Sequence, residues 1–446
     1  MDVELQILKH LPRDASTTVS FVDEYCDRYK ELFPEVRSYE CFKHLHWGLM
    51  TPIPRKSLPE IAKVVGVTSA QSLHHFIAQS PWSVAQLKEK RLKTILTRLQ
   101  GEAITVIIDE TGDRKKGKTT DYVSRQYLGS VGKIDRGMVT VNAYGVYKNI
   151  TFPLICQVFK PRGTLKPEDS YKTKIKIAAE IITELVELGF NIEVVLADSL
   201  YGEASYFTRT LDNHNLSWVV AIRNNHGVWM SQDEKIRRTR WQKFTRTFSD
   251  KTTSTRYIRE VIFGKRHRLS YWELTTDPKT LPENGTSFVM TNLAGSITQT
   301  LGDIYGLRTW VEYGFRQCKQ ELGWTDYRFT RFKDIEKWWE IIFSVYTMIS
   351  LNCPALVELD SSNAPPQTPP QHSTQDIKPR LWSDESSWKK TLNNCRLILQ
   401  PLIVFGLLWP WLEVLPHQNL IHHSILIGLN ELIAVVGQYF PFVPDG

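Results

Sequence analysis

The spacing of apolar residues predicts helices over residues 1 to 100. Apolar side chains recur every three to four positions in the segments FVDEYCDRYKELF and VAQLKEKRLKTILTRL. Between them, Ser57 can cap a helix that has Pro59 in its first turn and an acid three residues after the cap. Gly66 can then form a turn, and Thr68 or Ser69 can cap a second helix. The pattern is typical of a helix-turn-helix, which either binds DNA or is an ordinary helical hairpin.

From about residue 103 the period changes to that of buried strands. The strand-like runs are AITVIID, DYVSRQYLG, MVTVNAYGVY, FPLICQVF, NIEVVLAD and LSWVVAIR. A long amphipathic helix, YKTKIKIAAEIITELVELGF, is placed among them and is closed by Gly189. Three strands followed by helix, strand, helix and strand predict an α/β fold with a mixed sheet.

Residues 225 to 300 interrupt this alternation with short strands such as STRYIREVIFG, HRLSYWELTT and TSFVMTNL. Helices are predicted again at 302–323 and 334–352, and a Pro/Gln/Ser-rich stretch follows. The predicted divisions are a helical region at 1–100, an α/β core at 101–224 and 301–357, a β-rich segment at 225–300, a linker at 358–380 and a helical tail at 381–446.

Composition narrows the class of protein. The chain has 446 residues, of which 42% are hydrophobic and 23% charged, as in ordinary globular proteins. Six cysteines without a Cys-x-x-Cys pair exclude a disulfide scaffold and a zinc ribbon, and favour a reducing, cytoplasmic setting. No signal peptide is predicted. The most apolar stretch, Pro401–Leu412, is too short to span a membrane and predicts a buried helical hairpin.

Positive charge is concentrated in one segment. The whole chain carries a net charge of +7, whereas Lys235–Arg268 alone carries twelve Lys or Arg and two Asp or Glu, a net of +10. Compensation within the segment is therefore excluded, and we interpret it as a surface that faces phosphates rather than as an ordinary solvated face.

Two aspartates follow apolar strands. Asp109 ends AITVIID and Asp198 ends NIEVVLAD. Each alone could simply start a turn. Together, at the carboxyl ends of strands, they form a candidate pair of ligands for Mg²⁺, which prefers carboxylate and water oxygens.

A third acid is predicted on a helix over residues 303–322. At 100° per residue, Tyr305, Arg308, Glu312 and Lys319 lie within a strip of about 60°, beside the apolar stripe that faces the core. A solvated face with an Arg308–Glu312 ion pair would explain two of these residues. Four other acids, Glu110, Asp113, Glu203 and Glu321, compete for the metal-ligand roles.

The spacing Tyr-x2-Arg-x3-Glu-x6-Lys resembles the Tyr-Arg-Glu-Lys signature of a large group of bacterial insertion-sequence transposases. The strings VIIDETGDRKKGKTTDYVSRQYLG, VLADSLYGE and YGLRTWVEYGFRQCKQELGWTDYRF are similar to the branch numbered seven-hundred-one, which is related to family four. The resemblance covers roughly residues 20 to 355.

This resemblance implies a ribonuclease-H-like core, a mixed five-stranded sheet flanked by helices, with a β-rich insertion domain and helical N- and C-terminal regions. It implies that Asp109, Asp198 and Glu312 form a catalytic triad that holds two Mg²⁺ ions, or Mn²⁺ in their place. Arg308 and Lys319 would contact phosphates at the transposon end, and Tyr305 would support the same strand.

Further DNA contacts are expected from basic and aromatic residues. The turn after Asp109 and the basic segment supply Arg114, Lys115, Lys116, Lys118, Arg237, Arg238 and Arg240. The turn residues could equally form an exposed basic loop. Relatives often cut through a DNA hairpin in which an aromatic residue stacks on a flipped base, and Trp272 and Trp241 are the candidates here.

The expected function is that of a Mg²⁺-dependent DNA transposase that binds terminal inverted repeats, cleaves at the ends and joins 3′-OH ends to target DNA. The resemblance implies a homodimer on DNA, a bacterial, nucleoid-associated location and no membrane partner. Two alternatives stay open. Gly112–Thr119 matches the P-loop pattern of NTPases, and a non-catalytic DNA-binding protein would show the same charge pattern.

Overall fold

A computed structural model describes residues 13–361, except 68, 118, 130, 249–251 and 296, together with 381, 383–412, 424, 427 and 428. The chain forms two compact units. The central unit comprises Leu96–Gln317, and the discontinuous unit comprises Met1–Ile95 and Cys318–Gly446.

The predicted N-terminal helices are confirmed. They are α1 (Ser20–Asp27), α2 (Val36–Met50), α3 (Leu58–Val64), α4 (Ala70–Ala78) and α5 (Val84–Leu99). Gly66 forms the turn between α3 and α4 with a φ of 71°, and the Ser69 side chain caps α4 by accepting a hydrogen bond from the Gln71 amide. The expected capping box is wrong, because the Ser57 side chain makes no capping bond. Thr68, the other candidate cap, lies outside the described residues.

The core of the central unit is a mixed sheet. Its strands and helices are β1 (Ile104–Arg114), β2 (Ser124–Leu128), β3 (Lys133–Tyr147), β4 (Ile150–Phe159), α6 (Lys174–Glu187), β5 (Ile192–Ala197), α7 (Ser199–Gly202), α8 (Ser205–Asn213) and β6 (Trp218–Ile222). The order β4-β3-β1-β5-β6 places antiparallel strands on one side of β1 and parallel strands on the other. β1, β3 and β5 are almost fully buried. These strands are therefore covered on both faces, as expected where parallel pairing occurs.

The predicted basic strands extend this same sheet. They are β7 (Ile236–Arg238), β8 (Gln242–Thr247), β9 (Thr253–Phe263), β10 (Ser270–Thr275) and β11 (Thr286–Thr291). β11 pairs antiparallel with β6, β10 follows, and β9 pairs with β10, β7 and β8. The 225–300 segment is therefore continuous with the core sheet. It covers the edge of β6, whose backbone groups would otherwise be unpaired.

The predicted single helix over 303–322 is wrong. The chain forms α9 (Thr298–Gly306), α10 (Thr309–Arg316) and a π-helix (Gln317–Glu321). A change of pitch alters the angle between successive side chains, so the four signature residues do not share one continuous helix face.

The remaining helices are α11 (Phe332–Leu351), α12 (Pro354–Ser361) and α13 (Trp388–Leu412). The expected hairpin in Pro401–Leu412 is wrong, because this stretch continues α13. The linker is predicted at 358–380, but residues 358–361 belong to α12. Residues 362–380 lie outside the described part of the chain. None of the helices described is both long and apolar enough to cross a membrane.

Candidate active site

The register between β1 and β5 brings the two candidate aspartates together. Ile108 pairs with Ala197 in the parallel ladder, so Asp109 and Asp198 each follow the last paired position on neighbouring strands. Asp198 follows the end of β5 as expected. Asp109 does not end its strand, because β1 continues to Arg114 along its antiparallel partner β3, where Asp109 lies opposite Asn142.

Local hydrogen bonds orient one oxygen of each aspartate. Oδ1 of Asp198 caps α7 by accepting from the Leu200 amide at 2.9 Å. Oδ1 of Asp109 accepts from the Glu110 amide at 2.8 Å. The carboxylates are therefore held by main-chain donors rather than by flexible side chains.

The start of α10 faces the same part of the sheet. Arg308, the residue that precedes α10, places Nη1 3.7 Å from Oδ2 of Asp109. Glu312 lies one turn further along α10 and is exposed. Close packing fixes this helix, because a Cβ on Gly314 would lie 2.6 Å from the Tyr144 ring and Phe315 meets that ring edge-on at 5.4 Å.

The electrostatics link all four residues. The pKa of Asp109 is raised to about 7, mainly by burial and also by the Asp198 and Glu312 carboxylates, against a lowering by Arg308. Burial acts to lower the pKa of Arg308, but Tyr305 and the carboxylates of the same three acids raise it above its ordinary value. A desolvated carboxylate among like charges is typical of functional sites.

The donor set suits a divalent cation in its chemistry. Carboxylate oxygens are the ligands that Mg²⁺ prefers, and a cation would relieve the repulsion that raises the pKa of Asp109. Within the described ranges, however, no three His, Cys, Asp or Glu residues are grouped closely enough to hold a metal ion. Asp109 and Asp198 are thus the aligned part of the candidate site, and Glu312 would have to approach them.

Comparison with known proteins decides the family. A model described as DDE superfamily endonuclease matches residues 31–253, and one described as transposase DDE domain matches residues 168–348. The probable transposase for insertion sequence element IS701 of Microchaete diplosiphon is 53% identical over 326 residues, which span 73% of this chain and 86% of that protein. The chain belongs to the DDE transposases of insertion sequences. The resemblance to the seven-hundred-one branch is confirmed.

The competing acids of this transposase are held in other contacts. Glu110 pairs with Lys174 at 2.7 Å, and Asp113 pairs with Lys115 at 2.9 Å. Glu203 accepts hydrogen bonds from the Arg223 amide and from His226. In the discontinuous unit, Glu321 pairs with Lys389 and Arg396. These partners leave Asp109, Asp198 and Glu312 as the best candidate triad.

The P-loop alternative is wrong. Gly112, Asp113 and Arg114 lie in β1 and pair with β3, whereas a phosphate-binding loop needs a free loop that leads into a helix. In this region Arg114 pairs with Asp135 at 2.8 Å, and Lys116 is exposed. Lys118 lies outside the described residues.

The predicted cations in the β7 region are exposed. Arg237, Arg238 and Arg240 are exposed on and beside β7. The Trp272 side chain is only 7% exposed on β10 and donates to Ser270 Oγ, so it is poorly placed to stack on a base. Trp241 stacks against the Arg259 guanidinium at 4.1 Å.

Two residues that the sequence patterns did not single out lie in unusual settings in this transposase. Trp229, in the loop before β7, is fully exposed, and no pattern distinguishes it from the other tryptophans of the chain. Tyr201 on α7 is fully buried, and its hydroxyl has no hydrogen-bond partner among the described residues. Burial and the charges of Glu110, Asp198 and Asp109 raise its pKa well above the ordinary range.

The other signature residues lie in different settings. Tyr305 ends the buried face of α9 and is 7% exposed. Lys319 lies in the π-helix and belongs to the discontinuous unit. The interruption between α9 and α10 thus separates Tyr305 from the helix that carries Glu312.

Proposed function

We propose that this transposase cleaves DNA at the ends of its element by divalent-metal-dependent phosphoryl transfer and joins the 3′-OH ends to target DNA. The observation that carries the proposal is the Asp109–Asp198 pair, aligned by the β1/β5 register and coupled to Glu312 and Arg308. The sheet order β4-β3-β1-β5-β6 supports a ribonuclease-H-like core in which β7–β11 form the insertion.

The residues would divide the work as follows. Asp109, Asp198 and Glu312 would hold the divalent ions, which supply an activated water or 3′-hydroxyl and stabilise the leaving oxygen. Arg308 would bind a phosphate oxygen through its planar guanidinium while keeping Asp109 ionised. Main-chain hydrogen bonds to both aspartates would keep their remaining oxygens directed at the site.

DNA would be recognised outside this site as well. The exposed arginines of β7, together with Lys116 and Lys319, would contact phosphates, and the α3–α4 pair would contact DNA as a helix-turn-helix. Two copies of the chain would bridge the two ends of the element. Cleavage through a hairpin would need an accessible aromatic side chain, which Trp229 offers and Trp272 does not.

The test is a cleavage assay on a duplex that carries the inverted repeat flanking the gene, with Mg²⁺ or with EDTA. Asp198→Asn keeps an oxygen that can cap α7 but removes the charge. Glu193→Gln is the matched control, because Glu193 is exposed on the same strand β5.

We expect metal-dependent cutting at the end by the wild type and by Glu193→Gln, and none by Asp198→Asn, which still binds. Salt-sensitive binding without cutting by the wild type would instead support a non-catalytic DNA-binding protein. Cutting by Asp198→Asn would remove that residue from the triad.

A further inference from the structure

A half-buried arginine on β8 contacts the end of α9, two residues before Arg308. Nη2 of Arg246 donates to the Gly306 carbonyl at 3.3 Å. Its Nε is buried and finds no hydrogen-bond acceptor in the described part of the chain. A buried donor without a partner costs free energy, so the side chain gains stability if it turns towards an acceptor.

Two glycines let β8 approach α9 this closely. A Cβ on Gly302 would lie 2.5 Å from the Phe244 ring, and one on Gly306 would lie 3.3 Å from Nε of Arg246. Phe244 and Arg246 are two positions apart on β8 and therefore point to the same side of the strand. Phe244 is 4% exposed, so main-chain packing fixes where Arg246 lies.

A second arginine lies on the same face of the β8–β9 hairpin. The antiparallel register pairs Phe244 with Arg256 and Arg246 with Ser254, which places the two arginines diagonally across from each other. Their guanidinium groups lie 5.0 and 5.8 Å from the centroid of the Phe248 ring. The aromatic ring therefore holds both cations at one place.

Two further arginines act electrostatically on Arg246. Burial lowers the pKa of Arg246, and the positive charges of Arg256 and Arg308 lower it further, while Tyr305 and Glu312 act in the opposite direction. Three arginines held together by packing repel one another in the free protein. A polyanion that binds among them offsets this repulsion.

We propose that Arg246, supported by Arg256, binds a backbone phosphate of the DNA strand that enters the Asp109–Asp198 site, next to the phosphate held by Arg308. The inference rests on the proposed DNA cleavage function and extends it to the insertion strands. A guanidinium suits a phosphate because two of its nitrogens can donate to two oxygens together, and the half-buried Arg246 side chain keeps part of this group accessible. The insertion would thus position the strand at the site as well as attract DNA.

The test compares Arg246→Gln with Lys243→Gln. Lys243 is exposed on the opposite side of the same strand, so both variants lose one charge from β8. Binding to the end duplex is measured by fluorescence anisotropy over a range of salt concentrations, without divalent metal. Cleavage is measured with Mg²⁺, and thermal unfolding checks the fold.

We expect Arg246→Gln to bind at least about tenfold more weakly and to lower the salt dependence by about one released ion, with slower cleavage. Lys243→Gln should behave as the wild type. Equal behaviour of the two variants, with a wild type that binds and cleaves, would overturn the role of Arg246 but not the proposed function. A wild type that neither binds nor cleaves would overturn the proposed function and this inference with it.

A second measurement covers the case in which Arg246→Gln does not fold. Single neutral methylphosphonates are placed in turn along the strand, and the wild type is compared with Arg246→Lys, which keeps the charge and the stem. We expect one position at which the wild type loses affinity and the lysine variant loses less. Equal losses at every position would contradict the contact.

Discussion

At Asp109, burial and neighbouring carboxylates act in the same direction and raise its pKa to about 7. The Arg308 guanidinium, 3.7 Å away, is the main group that opposes them. If Arg308 binds a phosphate as proposed, its contact with Asp109 would link the charge balance of the free protein to DNA binding. An isolated Asp–Arg contact of this kind at the surface would contribute little, but partial burial strengthens it.

Arg308→Met tests whether the Arg308 charge takes part in cleavage. We expect a loss of cleavage of about ten- to hundredfold, because a charged hydrogen bond is worth about 1.5 to 3 kcal/mol. Single-turnover cleavage of end DNA measures it. Arg316→Met is the control, since Arg316 is exposed at the other end of α10. Equal rates for the two variants would show that Arg308 has no part in the reaction.

Lys56 gives the discontinuous unit a pH-dependent stability. Its side chain is 3% exposed and donates to the Thr51 carbonyl. Its pKa is lowered from 10.5 to about 7, mainly by burial and also by the cations Arg396 and Lys389, while Glu321 and Asp326 act in the opposite direction. The unfolded lysine keeps its proton above pH 7 and the folded lysine does not, so folding releases a proton and stability rises with pH.

The free energy of unfolding should therefore increase by about 2 kcal/mol between about pH 7.5 and about pH 9.5 from this residue alone. Urea unfolding of wild type and Lys56→Met over that range measures the difference, because methionine fills similar space without titrating. If both proteins change by the same amount, Lys56 is charged in the folded state.

At the scale of the elements, two packing contacts position the site. Asp198 caps α7, and a Cβ on Gly202 at the end of this helix would lie 2.0 Å from the Ala221 carbonyl of β6. α10 carries Glu312 and lies against β3 through Gly314. Glycine is needed in both helices because backbone or ring atoms occupy the space of a side chain.

Gly314→Ala should push α10 away from the Tyr144 ring. We expect a loss of about 1 to 3 kcal/mol in stability and slower cleavage, since Arg308 and Glu312 would move with the helix. Thermal unfolding and the cleavage assay measure the two effects. In Gly163→Ala the added methyl meets open space, so this variant should be neutral. Unchanged stability in Gly314→Ala would mean that the Tyr144 ring can move aside at little cost in free energy.

At the scale of the whole molecule, positive charge is concentrated on one part of the eleven-stranded sheet. β7–β11 extend the core from β6, and Lys235–Arg268 carries a net charge of +10 against +7 for the entire chain. Because the rest of the chain is slightly acidic, DNA should be attracted to the extension rather than to the molecule at large.

The triple variant Arg237→Gln, Arg238→Gln, Arg240→Gln tests this attraction. We expect weaker binding to any duplex and a salt dependence lower by about 0.9 for each phosphate that is no longer neutralised. Its control removes three exposed cations elsewhere in the central unit, Lys148, Lys176 and Arg209. Electrophoretic or anisotropy titrations at several salt concentrations compare them, and equal reductions in affinity would point to overall charge rather than to this surface.

Much of the site could be predicted from local sequence. Apolar runs predicted the strands, the helix that ends at Gly189 has the expected positive φ of 89° there, and Asp198 follows its strand as expected. The four residues of the signature have side chains suited to phosphate chemistry. The concentration of positive charge in Lys235–Arg268 follows from the residue types alone. These features depend on neighbours in the chain, so the sequence by itself determined them.

Tertiary structure decided the rest. β1 runs past Asp109 because β3 pairs with it, and Trp272 is buried because β9 and β11 flank its strand. The approach of Arg246 to Gly306 joins β8 to α9, two elements about 60 residues apart in the chain. Such contacts depend on which segments meet and in which register, and no local pattern of hydrophobic and polar residues contains that information.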